Sequence, residues 1–151
     1  MPQYVTRDQI EQVSLNTAIP FIDSIPCNRG CVYHQNGTGI FILRSNNNNC
    51  FSRYEVEFTG NVAITEGGTV GPVATAIIVN GEVAEESRSI FTPAAVDTYG
   101  NVTSRTVVEV PKGCCFNVAV EYVSGAVNDP AATPTPVINV VDGSLSITKI
   151  A

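Results

Sequence analysis

From Thr106 to Tyr122 the chain reads TVVEVPKGCCFNVAVEY, with apolar residues at every second position on both sides of a Pro-Lys-Gly break. In the first arm Val108 and Val110 alternate with Val107 and Glu109; in the second Phe116, Val118, Val120 and Tyr122 alternate with Asn117, Ala119 and Glu121. A period of two belongs to a half-buried β-strand, whose successive side chains point to opposite faces, and it is incompatible with a helix. Pro111 fixes φ and has no N–H to donate, and Gly113 supplies a backbone conformation that a Cβ resists, so the spacing predicts a hairpin turning at residues 111–113. Cys114 falls in phase with Phe116, Val118 and Val120 and is expected to be buried, with Cys115 facing outward beside Asn117 and Glu121.

The rest of the chain repeats this grammar. Tyr54, Val56 and Phe58 alternate with Glu55, Glu57 and Thr59, and Gly60 is expected to end that strand or mark a bulge. Val32, Tyr33 and His34 lead through Asn36-Gly37 to Ile40, Phe41, Ile42 and Leu43, and VATAIIV from Val73 to Val79 turns at Asn80-Gly81; both dipeptides are strong hairpin signals. Asp142-Gly143, between VINVV and SLSITKI, predicts a terminal hairpin. Pro20 makes residues 18–25 an edge strand or bulge, and Cys27-Asn-Arg-Gly-Cys31 reads as a tight turn. Residues 125–136 are a Pro-, Ala- and Thr-rich loop. About eight to ten short strands separated by Gly, Pro and Asn, with no helical periodicity long enough for a packed helix, mean an all-β sandwich or barrel. Residues 1–17, with a capping-box pattern at Thr6 and Gln9, are an N-terminal arm that docks on a partner or on its own domain; residues 18–151 are that domain.

Two runs, 40–43 and 73–79, are apolar on both faces, whereas each sheet of an isolated sandwich has one face in water. The second face needs a cover. Charged residues are only 15% of the chain, against roughly a quarter in an average domain, which makes a neighbouring subunit the expected cover. A net charge of -6 and a pI near 4.6 disfavour nucleic acid and anionic membrane as partners. The first 21 residues lack the basic start and apolar run of a signal peptide and no stretch approaches the ~18 apolar residues of a membrane span, so the chain is expected to be made in the cytosol and soluble.

Three segments resemble the trimeric jelly roll shared by tumour necrosis factor, the complement globular heads and the C-terminal domains of collagen-like spore-surface glycoproteins. Tyr54-Glu55-Val56-Glu57-Phe58 is similar to the Y-x-V-x-F strand of that family, and Ile77-Ile78-Val79-Asn80-Gly81-Glu82-Val83 to its apolar run, Asn-Gly and return. Val108 to Gly113 followed by Phe116 to Val120 resembles its paired strands, and Leu145 to Ile150 its closing strand. The resemblance spans roughly residues 18 to 151. Cys114-Cys115 departs from it, standing where the family usually has an acidic residue, and no Gly-X-Y stalk precedes the domain. It implies a jelly-roll β-sandwich and a homotrimer with one sheet of each subunit around a threefold axis; Phe41, Leu43, Ile77 and Tyr122 are the residues expected at the axis or the subunit contacts. The CNRGC turn and the KGCC segment are also similar to small structural proteins of tailed phages of intestinal bacteria.

The chemical motifs are weak by comparison. Cys27, Cys31, Cys50 and the Cys114-Cys115 pair are soft ligands in principle, but a single CxxxC lacks the repeated knuckle of a zinc site, so neither metal nor cofactor is expected. A turn at residues 28–30 is able to bring Cys27 and Cys31 within bonding reach, and free thiols are the alternative; five cysteines leave at least one unpaired in either case. His34 is the only histidine and reads as a turn-flanking surface residue with no orienting partner for a Cys-His pair. The carboxylates Glu55 with Glu57 and Glu85 with Glu86 suit calcium or glycoside chemistry by type, and solvated strand faces explain both. The expected function is therefore non-enzymatic: a structural protein of a phage particle, a capsid decoration or head-fibre-like trimer located on the virion and touching capsid proteins through the N-terminal arm. The alternative is a glycan- or receptor-binding module at a virion, spore or cell surface.

Overall fold

Alternation along the sequence becomes burial on one side of each sheet, and the strands fall where the period of two is cleanest. The computed structural model describes residues 3–5, 11–14, 17–21, 23–24, 32–34, 37–45, 50–67, 71–124 and 137–150. These hold twelve strands: β1 Gln3–Val5, β2 Glu11–Val13, β3 Asp23–Ser24, β4 Val32–His34, β5 Phe41–Arg44, β6 Phe51–Ile64, β7 Val73–Val79, β8 Glu82–Val83, β9 Ser89–Phe91, β10 Gly100–Pro111, β11 Cys115–Ser124 and β12 Ile138–Lys149. There is no α-helix among the described residues, only a 3-10 turn at Glu85–Ser87. The count exceeds the expected eight to ten because β1, β2, β3, β4, β8 and β9 are only two or three residues long.

The first sheet has the order β10-β6-β12-β1-β3, with β2 also on β12; the second has the order β4-β5-β11-β7-β8, with β9 also on β7. Each pairing is antiparallel, and the two sheets face each other as a jelly-roll β-sandwich. Tyr54, Val56, Phe58, Ile138, Leu145 and Ile147 from the first sheet meet Phe41, Leu43, Ile77, Val118, Val120 and Tyr122 from the second in one core. Burying each large side chain contributes about 1.5–3 kcal/mol. Phe21 sets its ring edge-on to Phe41 at 5.6 Å and to Phe58 at 6.2 Å, tying both sheets together at one side. Two hydroxyl pairs also cross between the sheets, Thr75 with Ser104 at 2.9 Å and Ser45 with Ser52 at 3.2 Å.

The stretch 106–122 folds differently from the expected hairpin. β10 pairs with β6 from Gly100↔Val62 to Pro111↔Phe51, while β11 pairs with β5 and β7. The turn after Pro111 thus carries the chain from one sheet to the other. Alternation reports a buried face without saying which strand supplies the hydrogen bonds, and both arms do face the same core. Cys114 belongs to this turn, its N–H donating to the Pro111 carbonyl at 3.0 Å, and it is exposed where burial was expected. Cys115 is exposed as expected, and Val118, Val120 and Tyr122 point inward.

The terminal hairpin is likewise replaced by one continuous strand. Both halves of β12 pair with β6, and a bulge between Val141 and Ser144 absorbs the extra residue, with Asp142 at φ 55. β6 runs through Gly60 to Ile64 without ending. The two Asn-Gly hairpins form as expected: β4 pairs with β5 across Gly37, and β7 with β8 across Asn80 at φ 51 and Gly81 at φ 85, a two-residue turn with both central φ values positive. In the N-terminal region β1 and β2 both pair with β12, so residues 3–5 and 11–13 pack on their own domain, one of the two arrangements expected of the arm. The capping box at Thr6 and Gln9, the 27–31 turn and the 125–136 loop lie outside the described residues.

Candidate interaction surface

Every second residue of a sandwich strand faces away from the core, and the two outward faces differ in chemistry. On the first sheet Arg53, Glu55, Glu57 and Thr59 of β6 stand beside Thr103, Arg105 and Glu109 of β10. Arg53 pairs with Glu109 at 2.7 Å and Arg105 with Glu55 at 3.1 Å, across half-exposed side chains. This is a solvated, charge-balanced face, and such pairs contribute at most about 1 kcal/mol each. Glu55 is thus held by an arginine of the neighbouring strand. Glu85 pairs with Arg88 at 3.4 Å, and Glu86 accepts a hydrogen bond from the Thr106 hydroxyl at 2.6 Å that lowers its pKa. Among the described residues no three His, Cys, Asp or Glu side chains are placed to hold a metal.

The second sheet turns out Tyr33 of β4, Ile40 and Ile42 at β5, Ala119, Glu121 and Val123 of β11, Ala74, Ala76 and Ile78 of β7, and Ile90 of β9. Glu121 is charged, and the exposed Arg44, opposite Cys115 at the end of β5, shares this outward face. Ala74, Ala76, Ile78 and Val123 form a second buried cluster with Val83 packed on it, so β7 is covered on both faces, as expected, but within one chain. The run 40–43 is covered on one face only: Phe41 and Leu43 are buried, whereas Ile40 is 54% and Tyr33 51% exposed.

A shallow depression of about 280 Å3 opens on this outward face, lined by Ala18, Ile40, Ile78, Asn117, Ala119 and Glu121. One wall depends on Gly39. A Cβ there would stand 2.7 Å from the Ile19 carbonyl oxygen and 2.8 Å from the Ala18 Cβ, so only glycine lets residues 17–19 lie alongside Ile40. The same segment is tied to β11, with the Ile19 N–H donating to the Val120 carbonyl at 2.8 Å and the Tyr122 N–H to Thr17 at 3.3 Å. Pro20 sits where this edge segment makes only isolated bridges, at Ala18 and Phe21, so no ladder bond is lost. The opposite wall is held by the Asn80-Gly81 turn: the Asn117 N–H donates to Asn80 Oδ1 at 2.9 Å, and the Asn80 N–H to the Asn117 carbonyl at 2.8 Å. Ala119 keeps the floor low. Burial at the rim raises the pKa of Glu121, and no cation lies against it among the described residues.

The residues expected at a subunit contact are elsewhere. Phe41, Leu43, Ile77 and Tyr122 are each 0% exposed in the intrachain core, which corrects their placement at an axis. For Phe41, Leu43 and Ile77 the run is apolar on both faces and has no alternation from which inward and outward can be told; Tyr122 shares the inward phase of Val118 and Val120 and follows it. Tyr33, Ile40, Ala119 and Glu121 were missed for a related reason: three sit in apolar or small-residue runs, and Glu121 read as an ordinary solvated position. His34 flanks its turn as expected but is half-buried. Its ring stacks on Phe41 at 4.2 Å, Nε2 donates to the Thr38 carbonyl at 2.9 Å, and burial lowers its pKa. Cys50, Cys114 and Cys115 are exposed free thiols, and Cys27 and Cys31 lie outside the described residues.

No protein-family model and no curated protein matches the sequence. Among solved structures the chain is similar to the Eiger TNF of S. frugiperda, with 10% identity over 99% of this chain and 92% of that one and a TM-score of 0.62. It is also similar to the globular domain of the zebrafish complement 1qA protein, with 14% identity over 99% and 98% and a TM-score of 0.60. Murine APRIL matches with 12% identity over 96% and 97% and a TM-score of 0.53. At such identities the likeness is one of fold: the sandwich is a jelly roll of the kind found in TNF and complement-head domains.

Proposed function

We propose that this protein is a non-enzymatic structural module of a phage particle, a homotrimeric jelly roll that decorates the capsid or forms a head fibre, and that its place is the virion. The observation that carries the module reading is a TNF- and complement-head-like fold over 99% of the chain, joined to exposed apolar side chains, Tyr33, Ile40 and Ile90, on the second sheet. The non-enzymatic reading is supported by the engagement of the groups a hydrolase would need. His34 is stacked and hydrogen-bonded, and Glu55, Glu85 and Glu86 are held by Arg105, Arg88 and Thr106. The trimer is favoured by the resemblance to the trimeric jelly-roll family and by the low charge content, with one sheet of each subunit turned to a threefold axis. The phage context is favoured by the CNRGC and KGCC resemblance.

The apolar depression favours a second reading, a receptor- or glycan-binding module at a virion or spore surface. Quantitative protein composition of purified particles of the phage that encodes the chain separates the two. Stoichiometric copies on the shell support decoration, and a few copies at the tail tip support adsorption. Absence from particles overturns both virion readings.

A further inference from the structure

We propose that the depression on the outward face of the second sheet docks a linear peptide segment of a partner protein, seating an aliphatic side chain over Ala119 beside a Lys or Arg that pairs with Glu121. The proposal rests on the reading of the chain as a binding or structural module. It starts from Glu121, the one charged side chain lining the depression, which loses hydration to its surroundings with no cation against it among the described residues. A partly desolvated carboxylate is compensated when a partner brings a cation, and apolar flanks around such a pair exclude water and strengthen it.

The size of the depression, about 280 Å3, at the low end of the ~300–1,000 Å3 of small-molecule sites, has room for a side chain. Its polar resources are few. The backbone N–H and carbonyl of Asn117 are both taken by Asn80, which leaves its side-chain amide and the Glu121 carboxylate as the polar side-chain groups of the lining. A second copy of this chain is a poorer occupant than a basic partner. A net charge of -6 makes a cationic partner the complementary one.

The test is a 1H–15N NMR titration of the full chain with the peptide acetyl-Ala-Lys-Leu-Ala-amide and with its counterpart carrying Glu in place of Lys. Saturable shifts are expected at Ile40, Ile78, Ala119 and Glu121 with the lysine peptide. Glu121→Gln is expected to weaken binding by about threefold to fivefold, the range of a partly exposed ion pair. Glu121→Lys should invert the preference between the two peptides, and Ala119→Leu should abolish binding while the thermal unfolding curve shows a folded protein. Absent or scattered shifts, or a preference that Glu121→Lys leaves unchanged, would overturn the proposal. So would a change of oligomeric mass in Glu121→Lys, which would make the face a contact between copies, or saturable shifts at the same residues with methyl glycosides alone, which would make it a glycan site. Particle composition fails independently: a protein missing from virions that still binds the lysine peptide loses the virion reading and keeps this one.

Discussion

Tyr54 and Tyr122 are both fully enclosed, yet the phenol of Tyr54 donates to the Arg44 carbonyl while the hydroxyl of Tyr122 has no hydrogen-bond partner among the described residues and its pKa is raised by burial. An unpaired buried hydroxyl costs about 1–3 kcal/mol, whereas a made hydrogen bond contributes about 1 kcal/mol. Tyr122→Phe is therefore expected to leave stability unchanged or raise it by up to about 1 kcal/mol, and Tyr54→Phe to lower it by about 1–2 kcal/mol by stranding the Arg44 carbonyl. Urea unfolding of the three proteins reads the difference, and a Tyr122→Phe midpoint below that of the parent would reveal a partner for the hydroxyl. The inward direction of Tyr122 was legible from its phase with Val118 and Val120. Its lack of a partner was not, because hydrogen-bond geometry depends on residues brought in from the other sheet.

Among the elements, the two-residue turn at Asn80-Gly81 was fully legible, since the φ values it needs are a local property of those residue types. The contrast is β12, where Asp142-Gly143 carries the same local signal and makes a bulge, because both flanking segments find their hydrogen bonds on the long strand β6. Gly39 shows the other limit of local reading. Nothing around it in the sequence marks it as a contact point, yet Ala18 and Ile19, some twenty residues away, press on it. Gly39→Ala is expected to destabilise the protein by about 1–3 kcal/mol, as overpacking of a filled site does, and to loosen residues 17–19 from β11. Thermal unfolding together with faster amide exchange at Ile19 would show it; an unchanged exchange rate would mean that the segment is held from elsewhere.

At the scale of the whole molecule the apolar surface left by folding decides the expected assembly. Light scattering at micromolar concentration is expected to give three times the 16.0 kDa of the chain, and a mass that stays at 16.0 kDa would overturn the trimer. Part of the argument from sequence has already been absorbed by the fold, since the second face of 73–79 is covered within the chain, while Tyr33, Ile40 and Ile90 of the same sheet remain exposed. The sequence by itself determined the class of fold, the inward phase of β6, β10 and β11 and the Asn80-Gly81 turn, all of which follow from side-chain period and backbone preference within a few residues. Only the tertiary structure decided that β10 and β11 lie in different sheets, that Phe41, Leu43, Ile77 and Tyr122 are core, and that Ala18, Ile40, Ile78 and Glu121 meet around one depression. Those outcomes depend on which distant strands share hydrogen bonds and which of two equally apolar faces turns inward, and period two is silent on both.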